Sequence, residues 1–341
     1  MSGPEPRPRT ELFDGPEFAA DPSGRPRSRV GQSWSSNAAT PTSAAGTDSV
    51  RRVGRTEPDP APRPVSRETL PPPARSRVLA VANQKGGVGK TTTAVNLAAA
   101  LAQGGLTTLL IDVDPQGNAS TALGVDHREG IRGTYEVLLD GDEISWHAVA
   151  SPEATGLHVL PATIDLAAAE LELVSVVGRE RRLADALDRY LTTTPTDYVI
   201  LDCPPSLGLL TLNALVAATE LLLPIQTEYY ALEGVSQLVR TIDRVTVDLN
   251  PDLVLTTVIL TMYDARTRLS AQVADEVRRH FPGQTLAVTV PRSVRVAEAP
   301  SYGQTVMTYH AGSAGAEAYR DIAREVARRG SSPHRRTPTS P

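Results

Sequence analysis

The sequence predicts an α/β fold, a doubly wound and mostly parallel sheet with helices on both faces. Three observations carry that expectation. Short apolar runs with no polar alternation recur through the middle of the chain. Stretches of helical periodicity follow them, and the first run leads through a glycine-rich turn into an alanine-rich helix. Strands that are apolar throughout are those buried on both faces of a sheet. Right-handed crossovers between such strands place a ligand site at their carboxyl ends.

Taken in order, residues 1–76 hold 14 of the 28 prolines, 11 arginines and no lysine. Such a segment buries too little apolar surface to offset the entropy of ordering. It is expected to be a disordered tail, a solvated spacer or alternatively a tether for a partner. Residues 330–341, GSSPHRRTPTSP, are expected to be a second disordered tail. Between them, 77–329 reads as one domain with no internal repeat and no linker-like break. Within it, strands are expected at 77–83 (RVLAVAN), 106–112 (LTTLLID), 157–161, 198–202 (YVILD), 220–224, 253–260 and 285–290. Helices are expected at 91–103, 179–191, 232–247, 270–280 and 314–329.

Composition narrows the function classes. The 341 residues carry a net charge of −5, which excludes a wholesale basic coat for nucleic acid but leaves room for a local patch. One cysteine, Cys203, excludes a disulfide framework and any multi-cysteine metal site within one chain. Cys203 itself reads as a small buried residue at a strand end. No run of about 18 apolar residues suggests a membrane span, and the N-terminus lacks the apolar core of a secretory signal. A soluble, cytoplasmic protein is expected. Of 34 basic residues only two are lysines, Lys85 and Lys90, and both lie in one loop. A chain that uses arginine everywhere else has reason to need a compact ammonium there.

That loop runs Lys85-Gly86-Gly87-Val88-Gly89-Lys90-Thr91-Thr92. Its glycines let successive N–H groups point into one concavity at a helix N-terminus, a ready anion site. Lys90 would reach the β- and γ-phosphates of a nucleotide, and Thr91 would offer its hydroxyl to Mg²⁺. The ordinary phosphate loop has glycine where this chain has Gln84, and here Lys85 precedes two glycines. This is the deviant form of the loop.

The segments ANQKGGVGKTTTAVNLAAALA, DVDPQGNAS, LDCPPSLGLLTLNAL, EYYALEG, TMYDARTRLS and PRSVRVAEAPSYG follow one another in order. Together they resemble the ParA/Soj chromosome-partitioning ATPases, within the ParA/MinD group of P-loop ATPases, over nearly all of 77–329. The resemblance implies ATP and Mg²⁺ as cofactors. It implies that Lys85 crosses a dimer interface to the partner's phosphates, so that nucleotide binding and dimerisation depend on each other. Asp114 matches the residue that positions the attacking water, Asp112 lies near the magnesium shell, and Asp202 matches the carboxylate that holds Mg²⁺ through water. A single strand-end aspartate also reads as a helix cap, but three of them downstream of a phosphate loop read as a site. Pro291 matches the adenine pocket, where the family's asparagine is replaced by Ser293, so one base contact changes.

The same resemblance implies an ATP-dependent homodimer, non-specific double-stranded DNA and a ParB-like centromere-binding protein as partners, and a nucleoid-associated location. Arg266 and Arg295 match the DNA-contacting face, and Arg324, Arg328 and Arg329 on the last helix are secondary candidates; each also reads as a solvated surface arginine. A MinD-like membrane ATPase is the alternative, but the last helix has few large apolar residues with which to enter a bilayer. An iron-protein relative would need two cysteines per subunit. A small-molecule ligase would need a substrate pocket that no motif identifies.

Overall fold

The computed structural model describes residues 69–229 and 233–331. The expected tails therefore lie outside the described residues over 1–68 and 332–341. Among the described residues, eight strands form one sheet. They are β1 (Arg77–Val81), β2 (Thr108–Asp112), β3 (Val149–Ala150), β4 (Leu157–Leu160), β5 (Tyr198–Asp202), β6 (Glu220–Gln226), β7 (Val254–Tyr263) and β8 (Thr285–Pro291). Their order is β3-β4-β2-β5-β1-β6-β7-β8, and every pairing is parallel except β3 with β4.

The helices are α1 (Lys90–Gln103), α2 (Asn118–Ala122), α3 (Thr134–Leu139), α4 (Ile144–His147), α5 (Leu166–Glu172) and α6 (Arg182–Thr193). They continue with α7 (Leu209–Ala217), α8 (Glu233–Asp248), α9 (Arg268–His280), α10 (Val294–Glu298), α11 (Val306–Tyr309) and α12 (Ala314–Ser331). All five expected helices and all seven expected strands form, most with shifted ends and 198–202 with the bounds expected. The sequence reading passes over α2–α5, α7, α10, α11 and the two-residue β3. Helix α7, LLTLNALVA, is apolar nearly all round and so shows no amphipathic stripe.

Every residue of β1, β2 and β5 is buried, and alternate side chains serve two separate cores. Val78, Ala80, Leu109, Ile111, Val199 and Leu201 belong to one core with Leu187 of α6, Leu210 of α7 and Val277 of α9. Leu79, Val81, Leu110 and Ile200 belong to the other core, with Leu97 and Leu101 of α1 and Tyr319 and Ile322 of α12. A sheet covered on both faces explains why its strands show no alternation.

Packing begins ahead of Arg77. Leu70 is buried, and its N–H donates to the Gly104 carbonyl at 2.9 Å. A Cβ on Gly104 would come within 2.5 Å of Leu70 Cδ1, so the two residues are fitted to one another.

At the start of β1 the fold buries an ion pair. Arg77 donates to both Glu220 oxygens at 2.6 Å, to the Val326 carbonyl at 2.6 Å and to the Tyr198 hydroxyl at 3.2 Å. Thr256 donates to Glu220 as well. The cluster ties β1, β5, β6, β7 and α12 together, and no periodicity in the sequence announces it. Arg77→Met leaves a buried carboxylate without its cation and is expected to cost about 3–5 kcal/mol. The double variant Arg77→Met/Glu220→Leu should recover much of that loss, read as denaturation midpoints in urea.

Candidate nucleotide site

Strand β1 ends at Val81, and Asn83 turns the chain out of the sheet. Asn83 Nδ2 donates to the Pro224 carbonyl at 2.8 Å, while its Oδ1 accepts from Lys85 N–H at 3.0 Å. The loop then takes positive φ at Gly87 (74°) and Gly89 (88°), a region glycine enters without steric cost. Gly89 is the N-cap of α1, and the first N–H groups of a helix have no partner within it. Gly86 and Gly87 face open space, since a Cβ on either would meet nothing within 4 Å. From the sheet side, Thr261 of β7 holds the loop by donating to the Val88 carbonyl at 2.7 Å. Sequence reasoning missed Thr261, which signals nothing beyond its place at a strand end.

The two lysines differ in setting. Lys90, the first residue of α1, is buried, and its Nζ donates to the Lys85 carbonyl at 3.2 Å. Burial lowers its pKa, and the charges of Asp202 and Asp114 oppose that shift. Lys85 is half-buried and reaches outward, its Nζ 3.4 Å from the Glu228 carboxylate.

Three aspartates gather at the carboxyl ends of the neighbouring strands. In the sheet register Asp202 lies beside Val81 on one side and beside Asp112 on the other. Asp112 is fully engaged in holding the next turn. Its Oδ2 accepts from Ser120 N–H at 2.9 Å and from Ser120 Oγ at 2.8 Å, and its Oδ1 accepts from Asp114 N–H at 3.2 Å. Gly117, at φ 62°, starts α2 and so delivers Ser120 to that carboxylate. No motif in the sequence announces Ser120 as the partner of Asp112. Asp114 is bound through Oδ1 to Gln116 N–H at 3.0 Å.

Asp202 is the exception. Both of its oxygens are buried and neither has a hydrogen-bond partner of good geometry, the Thr91 hydroxyl being the neighbouring donor. A buried carboxylate in that condition calls for a ligand. Among the described residues no group of three or more His, Cys, Asp or Glu could hold a metal by itself. A cation here would therefore complete its shell from Thr91, phosphate oxygens and water, which is how Mg²⁺ is ordinarily held. Cys203, next along, is fully buried, and burial pushes its thiol up and out of reactive range.

Burial first, then the Asp112 charge, raise the Asp202 pKa well above its ordinary 3.8, while Thr91 and Lys90 act against the rise. Burial likewise carries Asp112 up to about 7 from 3.8. Both folded-state values are raised, so the stability they contribute is fully present below about pH 4. For Asp112 it is lost as pH climbs through about 7, and for Asp202 as pH climbs well above the ordinary carboxylate range, because the unfolded chain ionises these groups first. Asp202→Asn should therefore gain on the native chain, without nucleotide, as pH rises from about 4 to about 7. Melting temperatures of the two proteins across that range test it, and parallel curves would refute the assignment.

The remaining predicted residues lie along the β7 and β8 side. Pro291 ends β8 opposite Tyr263, and Ser293 is the N-cap of α10 without a side-chain cap bond. Arg266 is exposed but bound back on Asp264, with Nε at 2.9 Å and Nη2 at 2.8 Å, and it holds Asp264 down to about 2. Arg295 lies 3.5 Å from Glu298. Sequence reasoning missed the acidic partners of both arginines, although Asp264 stands two positions before Arg266. Arg329 is committed to the fold, donating to the carbonyls of Thr256 and Gln284 at 3.2 Å and to Glu325 at 2.7 Å. Among the described residues no helix is long and apolar enough to cross a membrane.

Residues 76–255 match a protein family described as an AAA domain. The chromosome partitioning protein ParA of Myxococcus xanthus (strain DK1622) is 52% identical over 263 residues, covering 76% of this chain and 92% of its own length. The sporulation initiation inhibitor protein Soj of Bacillus subtilis (strain 168) is 48% identical over 254 residues, 74% of this chain and 99% of its own. The chain belongs to the ParA/Soj family of chromosome-partitioning ATPases. Solved structures resemble this ParA/Soj-family chain too. A cobyrinic acid a,c-diamide synthase from Mycobacterium smegmatis, with bound ADP and magnesium, is 42% identical with a TM-score of 0.64, covering 74% of this chain and 94% of that one. The septum site-determining protein MinD from Pyrococcus horikoshii, complexed with Mg-ADP, shares the fold at 23% identity and a TM-score of 0.59, over 74% of this chain and 96% of its own.

Proposed function

We propose that this ParA/Soj-family chain is a partition ATPase that binds ATP with Mg²⁺ and dimerises on it. The dimer binds double-stranded DNA without sequence preference, and a ParB-like centromere-binding protein stimulates hydrolysis and release. The observation that carries the reading is the orphaned, buried Asp202 carboxylate beside an open phosphate loop in a family of this name. In this mechanism the loop N–H groups and Lys90 bind the phosphates, Thr91 and Asp202 hold the cation, and Pro291 borders the base. Asp112 positions the strand end through Ser120, and Asp114 orients the water. Lys85 exchanges Glu228 for the phosphates bound by a second copy. Mg²⁺ held by Thr91 and Asp202 would neutralise charge that develops on the phosphoryl oxygens.

An acidic chain can hold DNA only by clustering its arginines, and dimerisation doubles the arginines presented on one rigid face. Binding should appear with ATP, fall steeply with salt, and depend little on sequence. Arg266→Glu or Arg295→Glu should weaken it and flatten the slope of log affinity against log salt by ~0.9 for each phosphate no longer neutralised. The ATP-dependent dimer should be unaffected. Equal affinity of both variants and the native chain at matched salt would move the DNA face elsewhere. The name of the Mycobacterium smegmatis structure favours a second reading, an ATP-dependent amide synthase. A steady ATPase rate that rises with DNA and a ParB-like protein, and not with an acid and an amide donor, decides between the two. Pelleting with liposomes in the presence of ATP would instead support the MinD-like alternative.

A further inference from the structure

Met262 is the one non-glycine residue at positive φ among the described residues, at 51°. A long side chain is crowded in that left-handed region, and such a residue persists only where its surroundings over-determine it. It sits in an irregularity of the β7–β8 pairing, where Leu260 to Tyr263 on β7 stands against the shorter run Thr289 to Pro291 on β8. Bulges of this kind re-aim a strand end and gather beside functional sites. Thr227, just past the end of β6, clamps the spot. Its N–H donates to the Thr261 carbonyl at 3.2 Å, and its Oγ1 lies 3.3 Å from the Met262 carbonyl.

Met262 joins two segments of the candidate site. Before it, Thr261 donates to the Val88 carbonyl at 2.7 Å. In a trans peptide the Val88 C=O and the Gly89 N–H point in opposite directions, so Thr261 aims that N–H away from β7. An anion bound by the N–H polarises the peptide and makes its carbonyl a better acceptor, which strengthens the Thr261 bond. After Met262 comes the turn that carries Arg266. Arg292 N–H donates to the Tyr263 carbonyl at 3.0 Å, Asp264 N–H to Ser270 Oγ at 3.4 Å, and Thr267 N–H to the Asp264 carbonyl at 3.1 Å. Within that turn Asp264 holds the exposed Arg266 side chain in one orientation.

We propose that Met262 is a positioning residue whose left-handed backbone ties the phosphate loop to the Arg266 turn, so that an anion bound in the loop orders the turn. The tie rests on nucleotide binding at the phosphate loop and needs neither DNA nor a ParB-like partner. Nucleotide then binds only chains in which Met262 is held left-handed, and the apparent affinity is reduced by the fraction of chains in that state beforehand. A residue that enters the region freely removes the reduction, and one that avoids it deepens it.

Substitutions of opposite character test this with Mg²⁺ and a slowly hydrolysed ATP analogue. Met262→Gly takes the left-handed region without steric cost and should bind the analogue about three- to tenfold tighter than the native chain. Met262→Asn, also tolerant of that region, should move the same way. Met262→Val places a β-branched side chain where such residues are outliers and should bind it about tenfold weaker. Hydrogen exchange of the amides over 263–267 reads the other end of the tie. In the native chain the analogue should slow that exchange at least about threefold. In Met262→Gly it should be slow with or without the analogue, and in Met262→Val fast in both cases. A role confined to packing would make glycine neutral or harmful, so glycine and asparagine variants that bind no tighter overturn the proposal, whether or not the valine variant folds. Exchange at the turn that the analogue leaves unchanged in the native chain overturns it too. A native chain that bound the analogue but no DNA would leave both readouts standing and end the DNA reading alone.

Discussion

Asp114→Ala is expected to bind ATP as the native chain does and to turn it over slower by ~10²-fold or more, the usual scale for losing a catalytic base or water-positioning group. The geometry separates binding from turnover. Asp114 lies beyond the end of β2, held by Gln116, and close enough to Lys90 and Asp202 to act on their charges. Its carboxylate accepts from Gln116 N–H and not from the loop backbone that would bind the phosphates. With binding intact and hydrolysis slow, the ATP-bound dimer should accumulate and stay on DNA. Single-turnover hydrolysis and nucleotide affinity, measured on one preparation, check both halves. A normal stimulated rate would remove Asp114 from the mechanism.

Lys85→Ala should retain ATP through Lys90 and lose the ATP-dependent dimer. The partly exposed pair with Glu228 adds little to stability, so the variant should fold and melt as the native chain does. Two facing sets of phosphates without the added cations would repel, and in the proposed dimer the lysines would remove that repulsion. Sedimentation with ATP measures the dimer fraction, and an unchanged fraction would end the cross-dimer role. Lys85→Arg is the finer test. A planar guanidinium is broader than an ammonium and fits poorly between loops that approach through Gly86 and Gly87.

The strands and the phosphate loop were legible because their signals are local. RVLAV, TLLID and YVILD are apolar throughout because both faces of those strands are covered. The glycines and lysines of the loop stand together because one concave turn needs them all. What escaped reading was set by partners distant in sequence. Arg77 meets Glu220 across 143 positions, and Thr261 meets Val88 across 173. Nothing near Leu70 in a proline-rich stretch shows that Gly104 leaves room for it. Asp112 and Asp202 look alike as strand-end aspartates. Only the structure shows one satisfied by Ser120 and the other left for a ligand. Arg266 was legible as exposed, but its charge is shared with Asp264, so the proposed DNA face is less positive than a count of arginines suggests.

The Arg77–Glu220 cluster sits where β1 begins, and the phosphate loop follows where β1 ends, about 17 Å away along five residues at the usual strand rise. Anchorage and chemistry thus occupy opposite poles of the same strand. Changes in the loop can therefore explore new nucleotide behaviour without loosening the chain, and such freedom leaves room for one scaffold to diversify. The practical counterpart concerns inactive proteins. A loop variant that accumulates normally in cells but does nothing has lost its chemistry and kept its shape, whereas a variant at the other pole would vanish by degradation before its activity could be asked about.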